Sequence, residues 1–504
     1  MQSFYCFSLP GVLIILKINT RKKQLILRNK VVKIKEVFLY LYYKFIMFNL
    51  KDFFVKNKII IGIFLISIVM GFFWNHKYFD NNLPTGNDPW EYVCVATDLI
   101  ERHTYTMCGG GEAYREPGYA FVLAGFFSVF GYNPIVVKIF QLFIFGIISV
   151  LIYKLGTKLF SRKVGLLAGL FSALWWVFPN YTGILTRETL LTFFMILLCL
   201  TLYKATDTQK NKYFVLVGVL LAVLSLTNAI IQYLIFFIVV NFIFILRKKI
   251  STKDLMKKIL ILVISFMIML SPWLIRNKIV YPEANLAITY RTGGILSLKT
   301  YKMEVLYPGI FKYYFGHMFG YYFAEKLWPN LDIRAPKNNY LAGADNDMYV
   351  NDGMNRYERE KILAEVNKKK ILENPHKYIA ISILDFLDFN SPIIPKKIFN
   401  GNDYAHYTLA EGRLPQIPEY IKTILLLAFR LWWFLFLSLM SYGIILSIKD
   451  WKVSGWMIIL MVYFNGVYSA VHAQPRYAIH VYAFYIIFAA FGLVNVYLKI
   501  KKNK

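Results

Sequence analysis

The residues able to do chemistry in this chain sit at the edges of its apolar runs. GNDPWEY at 86–92 places Asp88, Glu91 and Tyr92 shortly after a run that ends at Trp74. An aspartate followed by proline, with a glutamate three residues on, has the spacing of a helix start: N-cap, proline in the first turn, capping-box glutamate. Either carboxylate also suits a general base, which must stand within hydrogen-bond reach of the hydroxyl it deprotonates. The two roles coexist, because capping bonds favour the ionised form a base needs. Further along, Arg115 and Glu116 precede Pro117, Arg187 and Glu188 open ETLLTFFMILL, Arg276 closes SPWLIR, and His472, Arg476 and Tyr477 surround a QPRY tetrapeptide. Singly, these arginines have bland roles: an extended turn before proline at 115, an interfacial anchor at 187, snorkelling to lipid phosphates at 276 and 476. Jointly, cations facing carboxylates at one rim fit an anionic substrate, since guanidinium forks bind phosphate bidentately and stabilise charge as it develops.

What must position these residues is legible in the composition. Of 504 residues, 57% are hydrophobic and 18% aromatic, and apolar runs recur near the roughly twenty residues a helix needs to cross a bilayer. They predict ten spans, at 58–75, 133–153, 164–180, 185–204, 213–227, 229–246, 257–275, 421–447, 453–470 and 477–498, hence an all-α polytopic membrane protein. The formal charge of +29 would suit a nucleic-acid binder, so its location decides. With the amino end inside, loops 154–163, 204–212, 247–258 and 448–452 and the tail after Lys499 are cytoplasmic, and all carry lysine or arginine. The first outer loop instead holds Asp80, Asp88, Glu91, Asp98, Glu101, Glu112 and Glu116. Topology therefore accounts for the charge, and nucleic acid loses its support. Every candidate residue named above falls on the outer side, where ionisable groups near membrane depth are functional candidates by default.

Four sections follow from this threading. Residues 1–57 form a basic segment, cytoplasmic or interfacial, or a start called upstream of Met47. Residues 58–275 form the transmembrane core with its outer loop at 76–132. Residues 276–420 form a large external segment with a helix over 355–372 and an aromatic stretch at 311–328, and residues 421–504 supply the last spans and a basic tail. Four cysteines exclude a disulfide scaffold. Cys94 and Cys108 share an outer loop where a bridge is permitted, but free thiols are the primary reading. CGGGE at 108–112 lacks the GK[ST] of a phosphate loop, DND at 345–347 reads as a turn, and neither HExxH nor GxSxG occurs. No metal ligands are assigned, and any need for a divalent ion stays open.

Together DPWEY at 88–92, YREPGYAFVLAGFFSVFG at 114–131, LTRETLLTFFMILL at 185–198, SPWLIRN at 271–277 with RTGG at 291–294, ENPHKYIAISILDF at 373–386 and QPRYAIHVYAFYIIFAAFGL at 474–493 resemble the GT-C type integral-membrane glycosyltransferases, the superfamily of protein O-mannosyltransferases and lipid A aminoarabinose transferases. The resemblance runs from about Ile59 to Leu493 and is poor over 300–370. It implies a GT-C-like bundle that takes a sugar from a polyprenyl-phosphate carrier and gives it to a lipid, glycan or protein acceptor on the extracytoplasmic face of the cell membrane. It also implies that Asp88 occupies the position of the family's catalytic acidic residue. The adjacent acidic pair of many members is absent, which leaves Glu91 and Glu116 as possible second acidic groups. Arg187, Arg476, Arg115 and Arg276 are then candidates for the donor phosphate, and Tyr92, Glu188, His472 and Tyr477 for other substrate contacts. The rival readings are a flippase or transporter of lipid-linked saccharide, which would carry ionisable residues at mid-membrane and an internal repeat, and a polymerase or ligase of such saccharides.

Overall fold

The computed structural model describes residues 4–9, 12–17, 57–76, 79–84, 87–108, 111–113, 115–319, 324, 326–329, 354–392 and 419–502. Met47, the DND turn and most of the basic segment lie outside these residues. Two compact units result, 1–62 and 63–504. In the first, β1 (Phe4–Leu9) and β2 (Val12–Lys17) form an antiparallel hairpin.

Helices dominate the second unit, as the apolar runs require. The apolar run after Asn57 forms α1 (Lys58–Asn75), and GNDPWEY opens α2 (Asn87–Glu101). There follow α3 (Pro117–Phe130), α4 (Pro134–Leu159), α5 (Arg162–Leu174), the single turn α6 (Val177–Asn180), α7 (Glu188–Thr208), α8 (Asn211–Thr227), α9 (Leu234–Leu246) and α10 (Thr252–Val280). The segment 276–420 contributes α11 (Thr292–Val305), α12 (Ile310–Phe319), α13 (Arg356–Glu373) and α14 (Pro375–Phe389), and the chain ends on α15 (Glu419–Ser447), α16 (Trp451–Val471) and α17 (Ile479–Lys502). The helix expected over 355–372 is α13, closed by a capping box in which Asn355 and Glu358 each bond the other's backbone N–H.

Among the described residues, eight helices are long and apolar enough to cross a membrane, where the apolar runs predict ten spans. Two expected spans differ. The run 164–180 breaks after Leu174, where Trp175 turns extended and packs among Trp433, Phe436 and Tyr482. The Asn75 amide holds the broken end through the Pro179 carbonyl and the Thr182 hydroxyl (3.1 Å). The run 213–227 forms α8, an apolar helix of 17 residues and shorter than those eight, which stops at Asn228, whose amide donates to the Tyr468 hydroxyl at 2.7 Å. Two helices can approach closely only where side chains are small: a Cβ on Gly443 of α15 would lie 2.1 Å from the Phe488 carbonyl oxygen of α17, and one on Gly492 2.2 Å from that of Leu439.

Between α11, α12 and α14 lies a separate apolar cluster of Met303, Leu306, Ile310, Tyr313, Ala324, Ile381 and Leu384. The aromatic stretch therefore divides by face. Tyr313 is buried and the Tyr314 hydroxyl donates to the Ala380 carbonyl (2.7 Å), while Phe311 is exposed. Cys94 on α2 and Cys108 are joined in a disulfide, correcting the expectation of free thiols. The two cysteines flank the turn after α2, where the short pair β3 (Thr106–Met107) and β4 (Gly111–Glu112) folds the loop back and brings them together.

Candidate active site

Asp88 lies in the first turn of α2 rather than at its N-cap, because the helix already begins at Asn87. A carboxylate is favourable there, facing the positive end of the helix dipole. Tyr92, Val93, Val95 and Ala96 of α2 are buried, with Tyr92 and Val95 one and two turns beyond Asp88 on the same face. That anchorage leaves Asp88 and Glu91 one turn apart on the face toward Arg115. The Arg115 guanidinium bridges both, its Nη2 donating to Asp88 Oδ1 and its Nε to Glu91 Oε2. Arg476, arriving from the far end of the sequence, forms an ion pair with the other oxygen of Asp88, its Nη2 2.8 Å away.

A second buried pair adjoins the first. Glu116, extended before Pro117, accepts from Arg187 Nη1 at 2.7 Å and from the Ala229 backbone N–H at 3.3 Å. Arg187 Nη1 also reaches the Thr227 carbonyl at 3.0 Å. Gln141 of α4 fixes the loop that carries Arg187: its amide donates to the carbonyls of Thr182 (3.1 Å) and Ile184 (2.9 Å) and accepts from the Tyr119 hydroxyl (2.8 Å). Thus a polar residue inside an apolar helix sets the position of a guanidinium.

Electrostatics follow from these pairs. Burial pushes the Asp88 carboxyl up, but Arg476, Arg115 and Arg187 outweigh it and hold it well below the usual carboxylate range. Glu116 behaves alike, burial being outweighed by Arg187, Arg291 and Arg115. Burial drives the Tyr92 hydroxyl up to about 12, so it remains a neutral donor. His472 is driven down to about 3 by burial and by Lys302, and is a neutral imidazole.

Asp88, Glu91, Arg115 and Arg476 are thus brought into one cluster, with Glu116 and Arg187 beside it. Among the described residues, Tyr92 Oη, Glu188 Oε2, His472 Nδ1 and Arg476 Nε are buried without a hydrogen-bond partner, as polar atoms facing a ligand would be. Tyr477 stacks on Tyr468, ring centroids 4.9 Å apart, and lies under the Arg476 guanidinium. Arg276 stays apart. It donates to the Tyr105 carbonyl (3.3 Å) and packs over Tyr105 and Trp273, while the Tyr105 hydroxyl donates to the Arg115 carbonyl at 2.7 Å. Its described role is to brace the loop that carries Arg115.

Sequence reasoning missed a further cluster. Asp385 of α14 is fully buried and accepts from Lys299 (2.7 Å) and Lys302 (2.6 Å) of α11. Lys299 also donates to the Ser469 carbonyl (2.9 Å), and the Ala473 N–H points at Asp385 Oδ1 (3.4 Å), tying α11 and α14 to the segment that leads into Arg476. A signal existed: Ile381, Leu384, Asp385 and Asp388 share the buried face of α14 at helical spacing. Among the described residues no group of three or more metal-ligating side chains occurs.

Comparison with known proteins adds a family and a fold likeness. The family described as dolichyl-phosphate-mannose-protein mannosyltransferase matches residues 115–275, meeting the resemblance drawn from the sequence. The match begins at Arg115 and includes Glu116, Arg187 and Glu188, but neither Asp88 nor Arg476. No curated protein matches the chain. Among solved structures, the chain is similar to the archaeal oligosaccharyltransferase AglB from Archaeoglobus fulgidus in complex with an inhibitory peptide and a dolichol-phosphate, at 14% identity and a TM-score of 0.49, over 88% of this chain and 51% of that one. It is also similar to ArnT from Cupriavidus metallidurans bound to undecaprenyl phosphate, at 14% identity and a TM-score of 0.37, over 87% and 77%. The chain spans about half the length of the AglB structure.

Proposed function

We propose that this chain is a membrane glycosyltransferase of the GT-C type, transferring a sugar from a polyprenyl-phosphate donor to an acceptor hydroxyl on the extracytoplasmic face, with both termini cytoplasmic. The carrying observation is the buried arrangement in which Arg115 and Arg476 clamp Asp88 from two distant parts of the chain. The family match across residues 115–275 supports the donor class.

In this reading the acceptor oxygen attacks the anomeric carbon, the bond from that carbon to the phosphate oxygen breaks, and the phosphate leaves with the electron pair. The hydroxyl proton passes to Asp88. A single displacement inverts the anomeric centre, by analogy with single-displacement sugar chemistry. Phosphate is a good leaving group and needs no general acid, so the protein's tasks are a base on one side and positive charge on the other.

Clamped by arginines, Asp88 is a weak base, and a base works best with a pKa near the working pH. A donor phosphate resolves this by competing for Arg476, whose Nε already lacks a partner among the described residues. Binding the donor thus removes one of the charges that hold Asp88 down, and its basicity rises when the substrate is present. Arg187 remains paired with Glu116 and adds positive potential from behind.

The test is transfer of labelled sugar from decaprenyl-phosphate-linked hexoses and pentoses into membranes containing Asp88→Asn, which keeps the side-chain shape and removes the base. Transfer is abolished at unchanged protein level. Wild-type rates in this variant remove Asp88 from the mechanism.

A further inference from the structure

Between α16 and the turn that carries Arg476, residues 472–474 run as an extended strap: His472 has φ −168° and ψ 130°, Gln474 φ −144° and ψ 152°. In extended chain, alternate side chains share a face, so His472 and Gln474 point the same way. Ala473 between them directs its N–H at Asp385. The strap is fixed by that contact, and Asp385 is itself fixed by Lys299 and Lys302.

Both side chains are more than nine-tenths buried, with relative exposures of 8% for His472 and 5% for Gln474. They meet each other at 3.4 Å, Gln474 Nε2 to His472 Nε2. An amide nitrogen only donates, so His472 Nε2 accepts, and in a neutral imidazole the proton then sits on Nδ1. This leaves a buried donor, His472 Nδ1–H, and a buried acceptor, Gln474 Oε1, each without a partner among the described residues. Arg476 Nε–H, two residues on, is a second donor in the same condition. Buried polar groups in native proteins are satisfied, so this set is built to be completed by a ligand.

The pattern selects the ligand's chemistry. A phosphate oxygen suits Arg476 Nε–H, but between His472 and Gln474 it would satisfy Nδ1–H and repel Gln474 Oε1, and an ammonium would satisfy Oε1 but offer nothing to His472. A hydroxyl both donates and accepts, and neighbouring hydroxyls on one ring would answer donor and acceptor together. We propose that His472 and Gln474 form a hydroxyl-reading subsite that recognises the ring of the transferred sugar beside the Asp88–Arg476 pair and so determines which sugar is accepted. This rests on the glycosyltransferase reading above and goes beyond it, since that reading assigns only base and phosphate.

The experiment uses the full-length chain in membranes that supply the acceptor, with decaprenyl-phosphate-linked hexoses and pentoses. The best-used sugar serves as parent for its monodeoxy series. In the wild type, removing one particular hydroxyl lowers kcat/KM by about tenfold or more, because the site's polar groups are left unpaired. Gln474→Met, close in size but without hydrogen-bonding groups, lowers kcat/KM for the parent and brings that deoxy donor level with it, while the other deoxy donors keep their ratios. Binding of sugar-free decaprenyl phosphate stays within about twofold of wild type, which reports an intact fold and phosphate site. His472→Phe gives the same selective levelling should the methionine variant not accumulate. Equal loss on parent and every deoxy donor overturns the subsite, because a merely structural strap weakens all donors alike. If the wild type uses no lipid-phosphate sugar at all, the glycosyltransferase reading itself is overturned, a result distinct from unselective loss.

Discussion

The losses from breaking the Glu116–Arg187 pair one partner at a time should sum to more than the loss from removing both. Both side chains are largely buried, 8% and 16% exposed, and their contact is 2.7 Å. Removing one member of a buried ion pair strands the other charge and costs about 3–5 kcal/mol. Here the lower end applies, because Arg187 keeps the Thr227 carbonyl at 3.0 Å and is not wholly shielded. Glu116→Gln should therefore lose about 3 kcal/mol, while keeping an acceptor for the Ala229 N–H. Arg187→Met strands Glu116 and should lose a similar amount. The double variant leaves no uncompensated charge, so the two losses should not add, and the coupling should be about 2 kcal/mol. The assay is reversible unfolding in mixed micelles, followed by tryptophan fluorescence, alongside sugar transfer by the same preparations. The double variant should lose about 4 kcal/mol instead of the roughly 6 that additivity gives, and transfer should stay lost, because the charge of Arg187 is gone. Coupling below about 0.5 kcal/mol would refute the pair as a buried unit, and recovered transfer would show that Arg187 serves structure alone.

Acid should reveal His472. Burial holds its imidazole down to about 3 in the fold, against about 6.5 in an unfolded chain. Between these values the unfolded chain binds a proton that the folded one refuses, so stability falls as pH drops from about 6.5 towards 3. Asp88 has the same sign in a lower window: its depressed pKa gives stability that is fully present above the unfolded value near 4 and is lost only below it. Unfolding measured from pH 7 to 4.5 should be flatter for His472→Asn than for wild type, and identical slopes would contradict a buried neutral imidazole. The Cys94–Cys108 bridge should make the Cys94→Ala/Cys108→Ala variant less stable by about 3 kcal/mol, the loop-closure value for a loop of that size. Maleimide-PEG added to denatured wild type should gain two modifications only after reduction, and full labelling without reductant would exclude the bridge.

Sequence by itself determined the membrane character and the helical class, and it singled out most of the residues that gather in the candidate site. Length and apolarity of a run are local properties, and a bilayer admits few solutions for them. Charged residues at run ends stand out because their types are costly near membrane depth, which is how Asp88, Arg115, Arg187 and Arg476 were legible. Partnership was not. That Arg115 bridges Asp88 and Glu91, that Arg187 pairs with Glu116 rather than standing ready for phosphate, and that Arg276 stacks on Tyr105 depend on contacts between segments tens to hundreds of residues apart. The break at Trp175 was hidden for the same reason: hydropathy averages over a window, whereas the break comes from a tertiary aromatic cluster and the Asn75 amide. Gln474 escaped because an uncharged amide gives no signal until its burial and its missing partner can be seen.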